Sequence, residues 1–137
     1  MTDASDRAAE LDALMPFTMT LGIGFVSATP SAVVARLDWA EDLCTTGGAM
    51  HGGAVMALAD SAGGACAYLN LPDGAAGTTT IESKTNFLRA VRTGYIEATS
   101  RPLHAGRTVV VVDTEVRDDQ ARLVARVTQS QLVLSAP

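Results

Sequence analysis

Apolar and polar positions alternate with a period of two over most of the second half of the chain. Residues 78–90, 95–103, 107–117 and 122–134 each read as a strand. Turn signals separate them: Thr93-Gly94, Ala105-Gly106 and Asp118-Asp119-Gln120. Pro102 marks an edge or a bulge in the second of these strands. Near the N-terminus, residues 21–28 and 31–39 read as two further strands around Thr29-Pro30. In the latter, Val33, Ala35 and Leu37 alternate with Arg36 and Asp38. Residues 5–15 have helical spacing, with Ser5 as the cap and Ala8, Leu11, Leu14 and Met15 on one side. Pro16 ends or redirects that helix.

Residues 51–70 follow neither pattern of the surface. They read as one helix of about five turns, preceded by a loop over 41–50 with Gly47-Gly48 as breakers and followed by a turn over 71–77. Val55, Leu58, Ala59, Ala62 and Cys66 share one stripe. The opposite side carries Gly53, Ala57, Asp60, Gly64 and Tyr68. A helix lying on a domain surface would place Lys, Glu and Gln on that second side. Small residues there predict that both faces are covered and that Asp60 sits in a partly dry place. A carboxylate so placed is costly unless something uses it. The competing reading is a core helix whose Asp60 bonds a neighbouring backbone group. A membrane span is disfavoured by Asp60 and the glycines that break the apolar run.

One long helix and about six antiparallel strands, the consecutive ones paired as a meander, predict an α+β fold with the sheet curled around the helix. The whole of 1–137 reads as one domain, with 1–20 as an N-terminal helical segment. One helix cannot cover the sheet and have its own second face covered by the same sheet. A second subunit is the simplest cover, so a homo-oligomer is expected.

Composition narrows the partners. With 10 Lys and Arg against 15 Asp and Glu, the net charge is −5 and no basic cluster exceeds a pair, which argues against nucleic acid or an anionic membrane. Two cysteines, Cys44 and Cys66, make no disulfide framework. The first residues are acidic and lack a basic-then-apolar signal, so a cytoplasmic location is expected.

The candidate chemistry is narrow. There is no nucleophile elbow, P-loop or dinucleotide fingerprint. The two histidines, His51 and His104, and the cysteines have no zinc-ligand spacing, so no metal is expected. What remains is the mid-helix carboxylate Asp60 and a helix start made of His51-Gly52-Gly53. The first N–H groups of a helix are unpaired and lie at its positive end. Glycines there let a carbonyl oxygen approach the backbone, as in an oxyanion hole. Plain flexibility at a helix entry, and a His51 ring bonded to a loop carbonyl, are the alternatives. Asp60 lies about two turns, roughly 10 Å, further along. One helix therefore cannot bring both groups to one carbonyl, whereas antiparallel helices of a two-fold dimer can.

These residues match a family. His51-Gly52-Gly53 with Asp60-Ser61-Ala62, then Asn86-Phe87-Leu88-Arg89, then His104-Ala105-Gly106-Arg107-Thr108 resemble the hotdog-fold acyl-CoA thioesterases of the phenylacetate-degradation (PaaI-like) type. The resemblance spans roughly 21–134. It implies two subunits joined into one continuous sheet, often paired again into tetramers, with active sites at the interface. It implies that Asp60 is general base or nucleophile, that the Gly52 N–H polarises the thioester carbonyl beside His51 and Gly53, and that Thr80 helps hold water. It implies that Phe87, Leu88 and Arg89, with His104, Gly106 and Arg107, flank the pantetheine arm and nucleotide. Arg89 and Arg107 would meet phosphates; as the alternative they are solvated strand ends. No cofactor is implied, coenzyme A being part of the substrate. One departure bears on the site. Many members carry an asparagine six residues before the histidine, where this chain has Thr45. A hydroxyl cannot reproduce an amide. Two other functions on the same fold remain open: a CoA-ester binding protein without turnover, and a hydratase or dehydratase using His51 with Asp60.

Overall fold

The computed structural model describes residues 3–137. Six antiparallel strands form one sheet in the order β1-β2-β4-β5-β6-β3, and a single long helix crosses its inner face. The strands are β1 Gly24–Thr29, β2 Ala32–Asp38, β3 Ala75–Phe87, β4 Tyr95–Ala105, β5 Val109–Asp118 and β6 Leu123–Ser135. The long helix is α3, Gly52–Tyr68. It packs against every strand, which requires the sheet to curl around it. Val55, Leu58, Ala59, Ala62 and Cys66, the stripe read from the sequence, are all buried. They meet Val33, Leu37, Ile96, Val110, Val112 and Val127 from alternate positions of the strands.

Two helices precede the sheet. Asp3, not Ser5, caps α1 (Ala4–Leu14), its carboxylate accepting from the Ala4 N–H at 2.6 Å. Pro16 ends α1 and also starts a second short helix, α2 (Pro16–Leu21), where its missing N–H costs nothing. Gly22 closes α2 in the left-handed region at φ 83°, so the first strand begins at Gly24 and not at Leu21. The α1 residue Asp12 accepts from the Phe25 N–H at 3.0 Å and ties α1 to the outer edge of β1.

The expected meander holds only for β4-β5-β6. Strand β3 pairs with β6, not with β4. The reason lies in α3, which carries the chain across the inner face and delivers it to the far edge. Residues 88–94 then return along one end of the sheet. Their backbone is fixed by the Leu88 and Arg89 N–H groups on Val124 O, by Met50 N–H on Val91 O and by Trp39 N–H on Gly94 O. Pro102 sits at a register shift between Pro102 and His104, the bulge that the sequence suggested. A second shift, between Thr80 and Glu82, leaves Ile81 without a partner on β6; such bulges re-aim neighbouring side chains.

Within the single chain Asp60 is exposed and not in the partly dry place expected from the sequence. The small-residue side of α3 is not covered: Gly53, Asp60 and Tyr68 are exposed, and Ala57 and Gly64 are half-buried. The thirteen-residue β3 has β6 on one side only, and Ile81 and Phe87 on it are exposed. Among the described residues, no helix is long and apolar enough to cross a membrane.

Candidate functional site

Asp60 stands where α3 faces the bulged part of β3 and the middle of β6. Its Oδ1 accepts two hydrogen bonds, from Thr80 Oγ1 and from Gln129 Nε2, both at 3.0 Å. Thr80 in turn accepts from Gln131 Nε2 at 2.6 Å; Thr78 Oγ1 shares its one hydrogen between Leu132 O at 3.0 Å and Gln131 Oε1 at 3.2 Å. Gln131 through Thr80, and Gln129 directly, thus turn their donors toward one carboxylate oxygen. Asp60 Oδ2 has no partner among the described residues.

The two glutamines come from the alternation of β6. Ala125, Val127, Gln129 and Gln131 all face inward and are buried. Gln131 lies opposite Thr80 on one side and Val110 on the other. A carboxylate only accepts, so the Gln129 amide must turn its Nε2 toward Asp60. That leaves its buried Oε1 with no partner among the described residues. A buried acceptor left unpaired costs about 1–3 kcal/mol. The amide fits because residue 63 is glycine: a Cβ there would land on Gln129 Oε1.

Two clefts border Asp60. One, of about 480 Å³, is lined by His51, Gly53, Ala57, Cys44 and Ser83 among others. The other, of about 620 Å³, runs between α1–α2 and the distal half of α3, past Leu14, Phe17, Tyr68 and Thr78. The helix start faces both the first of these and a separate cleft. The His51 ring caps its own helix, Nδ1 accepting from the Gly53 N–H at 2.7 Å, so its partner is not a loop carbonyl. The Gly52 N–H has no partner among the described residues. Gly52 lines a third cleft, of about 390 Å³, with Phe87, Leu88 and Arg89. A Cβ on Gly52 would stand 3.1 Å from the Phe87 ring.

The structure thus bonds Asp60 to Thr80, sets His51 and Gly53 along the same cleft about two turns away, and separately brings Gly52 together with Phe87, Leu88 and Arg89. It does not bring Thr45 to Asp60. The loop folds on itself through left-handed Gly47 and Gly48, the Thr45 N–H bonds Ala49 O at 2.8 Å, and Leu43 and Cys44 line the cleft instead. His104, near the end of β4, and Gly106 and Arg107, in the turn to β5, line none of these three clefts. A Cβ at Gly106 would meet the end of the exposed His104 side chain and stand 3.1 Å from Val109 O. Arg89 and Arg107 form no ion pair among the described residues. Cys66 offers no nucleophile: burial pushes its thiol up to about 11. Among the described residues, no three His, Cys, Asp or Glu side chains are grouped to hold a metal.

Sequence reasoning missed Gln129 and Gln131. The signal was there: in Val127-Thr128-Gln129-Ser130-Gln131-Leu132 the inward positions of a core strand turn from apolar to amide.

Comparison with known proteins gives a consistent result. The Thioesterase superfamily model matches residues 47–125. The Mycobacterium tuberculosis protein named Putative esterase MT1895 is 31% identical over 92% of this chain and 91% of its own length. The Bacillus subtilis protein named Putative esterase ComA2 is 33% identical over 76% of this chain and 82% of its own. The crystal structure of a mutant of thioesterase PA1618 from Pseudomonas aeruginosa superposes with a TM-score of 0.88 at 26% identity, covering 94% of each chain. The hotdog architecture of a curled sheet around one helix is therefore shared.

The contact of Gly63 with Gln129 has a measurable consequence. Gly63→Ala should lower stability to urea by about 1–3 kcal/mol, the cost of overpacking. In a Gln129→Ala background, where the space is free, the same change should cost nothing or stabilise the helix. Equal effects in the two backgrounds would contradict the close approach.

Proposed function

The chain belongs to the thioesterase superfamily, and on that footing we propose that it is an acyl-CoA thioesterase, releasing coenzyme A and a free carboxylic acid. Family membership supports hydrolysis of a thioester. The acyl-CoA class rests on the resemblance that His51-Gly52-Gly53 with Asp60 and the two later motifs carry to acyl-CoA thioesterases of the phenylacetate-degradation type. The observation that carries the reading is Asp60 itself: one oxygen held by Thr80 and Gln129, the other free at the edge of two clefts.

In the proposed reaction a water attacks the thioester carbonyl carbon. Asp60 Oδ2 takes the water's proton, the carbonyl oxygen gains charge, and the thiolate leaves as the carbonyl re-forms. Direct attack by the carboxylate, followed by hydrolysis of the anhydride, uses the same atom. Either route needs a donor for the carbonyl oxygen. The unpartnered Gly52 N–H suits that role, but it lines a different cleft from Asp60. We assign the site to two chains: Asp60 from one copy and Gly52 from a second. The uncovered small-residue side of α3 and the long free edge of β3 supply the surface for such a copy. Arg89, beside Gly52, and Arg107 would then hold phosphates of the nucleotide, as guanidinium geometry favours. His51, through its hold on Gly53, keeps the helix start in shape.

Asp60→Asn should lower kcat for thiol release by at least about a hundredfold, within the range for a lost general base. The fold should persist, since Asp60 is exposed and the amide keeps its shape. A panel of acyl-CoA esters with a thiol reagent measures this; turnover at the wild-type rate would remove Asp60 from the chemistry. Light scattering should give two or four times the 14.2 kDa of one chain. A stable monomer with full activity would contradict the shared site.

A further inference from the structure

We propose that Gln129, with Gln131 acting through Thr80, positions the Asp60 carboxylate and selects Oδ2 as its reacting oxygen; this rests on the reading of Asp60 given above.

Gln129 is wholly buried and occupies a place that β6 otherwise fills with Val and Ala. An amide there has no packing advantage over Leu or Met of similar size. It also brings a cost, because Oε1 is left unpartnered in the interior. The one polar contact it gains is the bond from Nε2 to Asp60 Oδ1. Room for the amide depends on the missing side chain at Gly63. Two positions in different elements are thus shaped around a single hydrogen bond to the carboxylate.

Gln131 works on the same oxygen at one remove. Thr78 Oγ1 shares its single hydrogen between Gln131 Oε1 and Leu132 O, while Gln131 Nε2 donates to Thr80 Oγ1 at 2.6 Å. Thr80 Oγ1 accepts that bond, and its own hydrogen is directed to Asp60 Oδ1. Oδ1 then holds two donors from two strands, β3 and β6. This fixes the plane of the carboxylate and leaves Oδ2 for water or thioester. Neither glutamine needs to touch the substrate, so both are positioning residues.

The test uses Gln129→Met and Gln131→Met, which keep length and remove the amide. Gln129→Met should lower kcat for acyl-CoA hydrolysis about tenfold or more, the scale of a misplaced reacting group. KM should change little, and the urea midpoint should stay level or rise. Gln131→Met should give a smaller loss of the same kind. The decisive readout is a cycle with Asp60→Asn. If Gln129 acts through Asp60, adding Gln129→Met to Asp60→Asn costs nothing further. An unchanged kcat in Gln129→Met overturns the proposal, and so do losses that simply multiply in the double variant. Failure of Gln129→Met to fold also overturns it, by making the amide a core residue. The reading of Asp60 is judged separately, by Asp60→Asn alone.

Discussion

Helix α3 and strand β6 approach so closely at Gly63 that a methyl group would collide with the Gln129 amide. Much of the site follows from that contact. It brings a strand side chain up beside the helix and delivers an N–H to Asp60 Oδ1. The bulge at Ile81 brings Thr80 to the same oxygen from the neighbouring strand. A carboxylate on a helix exposed to water would ordinarily sample several rotamers. Here two donors rooted in different strands hold it, and the strands are in turn held by the buried stripe of α3. The packing of the core and the orientation of Asp60 are one arrangement.

The same helix separates the two halves of the proposed chemistry. Its N-terminal N–H groups lie beside Phe87 and Arg89, while Asp60 lies beside Thr80 two turns on. A rigid helix cannot shorten that span. The division makes sense if the functional unit is a pair of chains, each supplying what the other's cleft lacks. The features left open in one chain fall where a second would cover them: the glycine and alanine side of α3 and the outer edge of β3.

Much of this was legible in the sequence, and the exceptions have physical causes. The buried stripe of α3 was readable because helical periodicity and apolar character coincide there. The bulge at Pro102 was readable because proline cannot donate to a ladder. Strand pairing was less so. Turn residues at 93–94 announce a reversal but do not say which strand lies alongside, and β3 pairs with β6 across the molecule. Pro16 reads as a stop, although the same fixed φ suits a first helical position. Small residues on the outer side of α3 suggested cover, which a single chain does not provide. Asp60, Gly52 and His51 stood out as candidates because a lone carboxylate and a glycine pair are conspicuous in an apolar helix. Gln129 and Gln131 were overlooked, since amides in a strand look like ordinary surface residues until the register places them inside.

Complementation between two inactive variants tests the shared site most directly. Asp60→Asn removes the carboxylate. Gly52→Pro removes the N–H at a first helical position that accepts proline after the extended His51, with ψ 135°, the new Cβ requiring only that the Phe87 ring give by a few tenths of an ångström. Each variant alone should be nearly inactive toward acyl-CoA. Co-refolded together, they should form mixed dimers in which the Asp60 of one chain meets the Gly52 of the other. Acyl-CoA hydrolysis should then reappear above the level of either variant. A mixture no more active than its parts, with mixed dimers shown to be present, would contradict a site built from two chains.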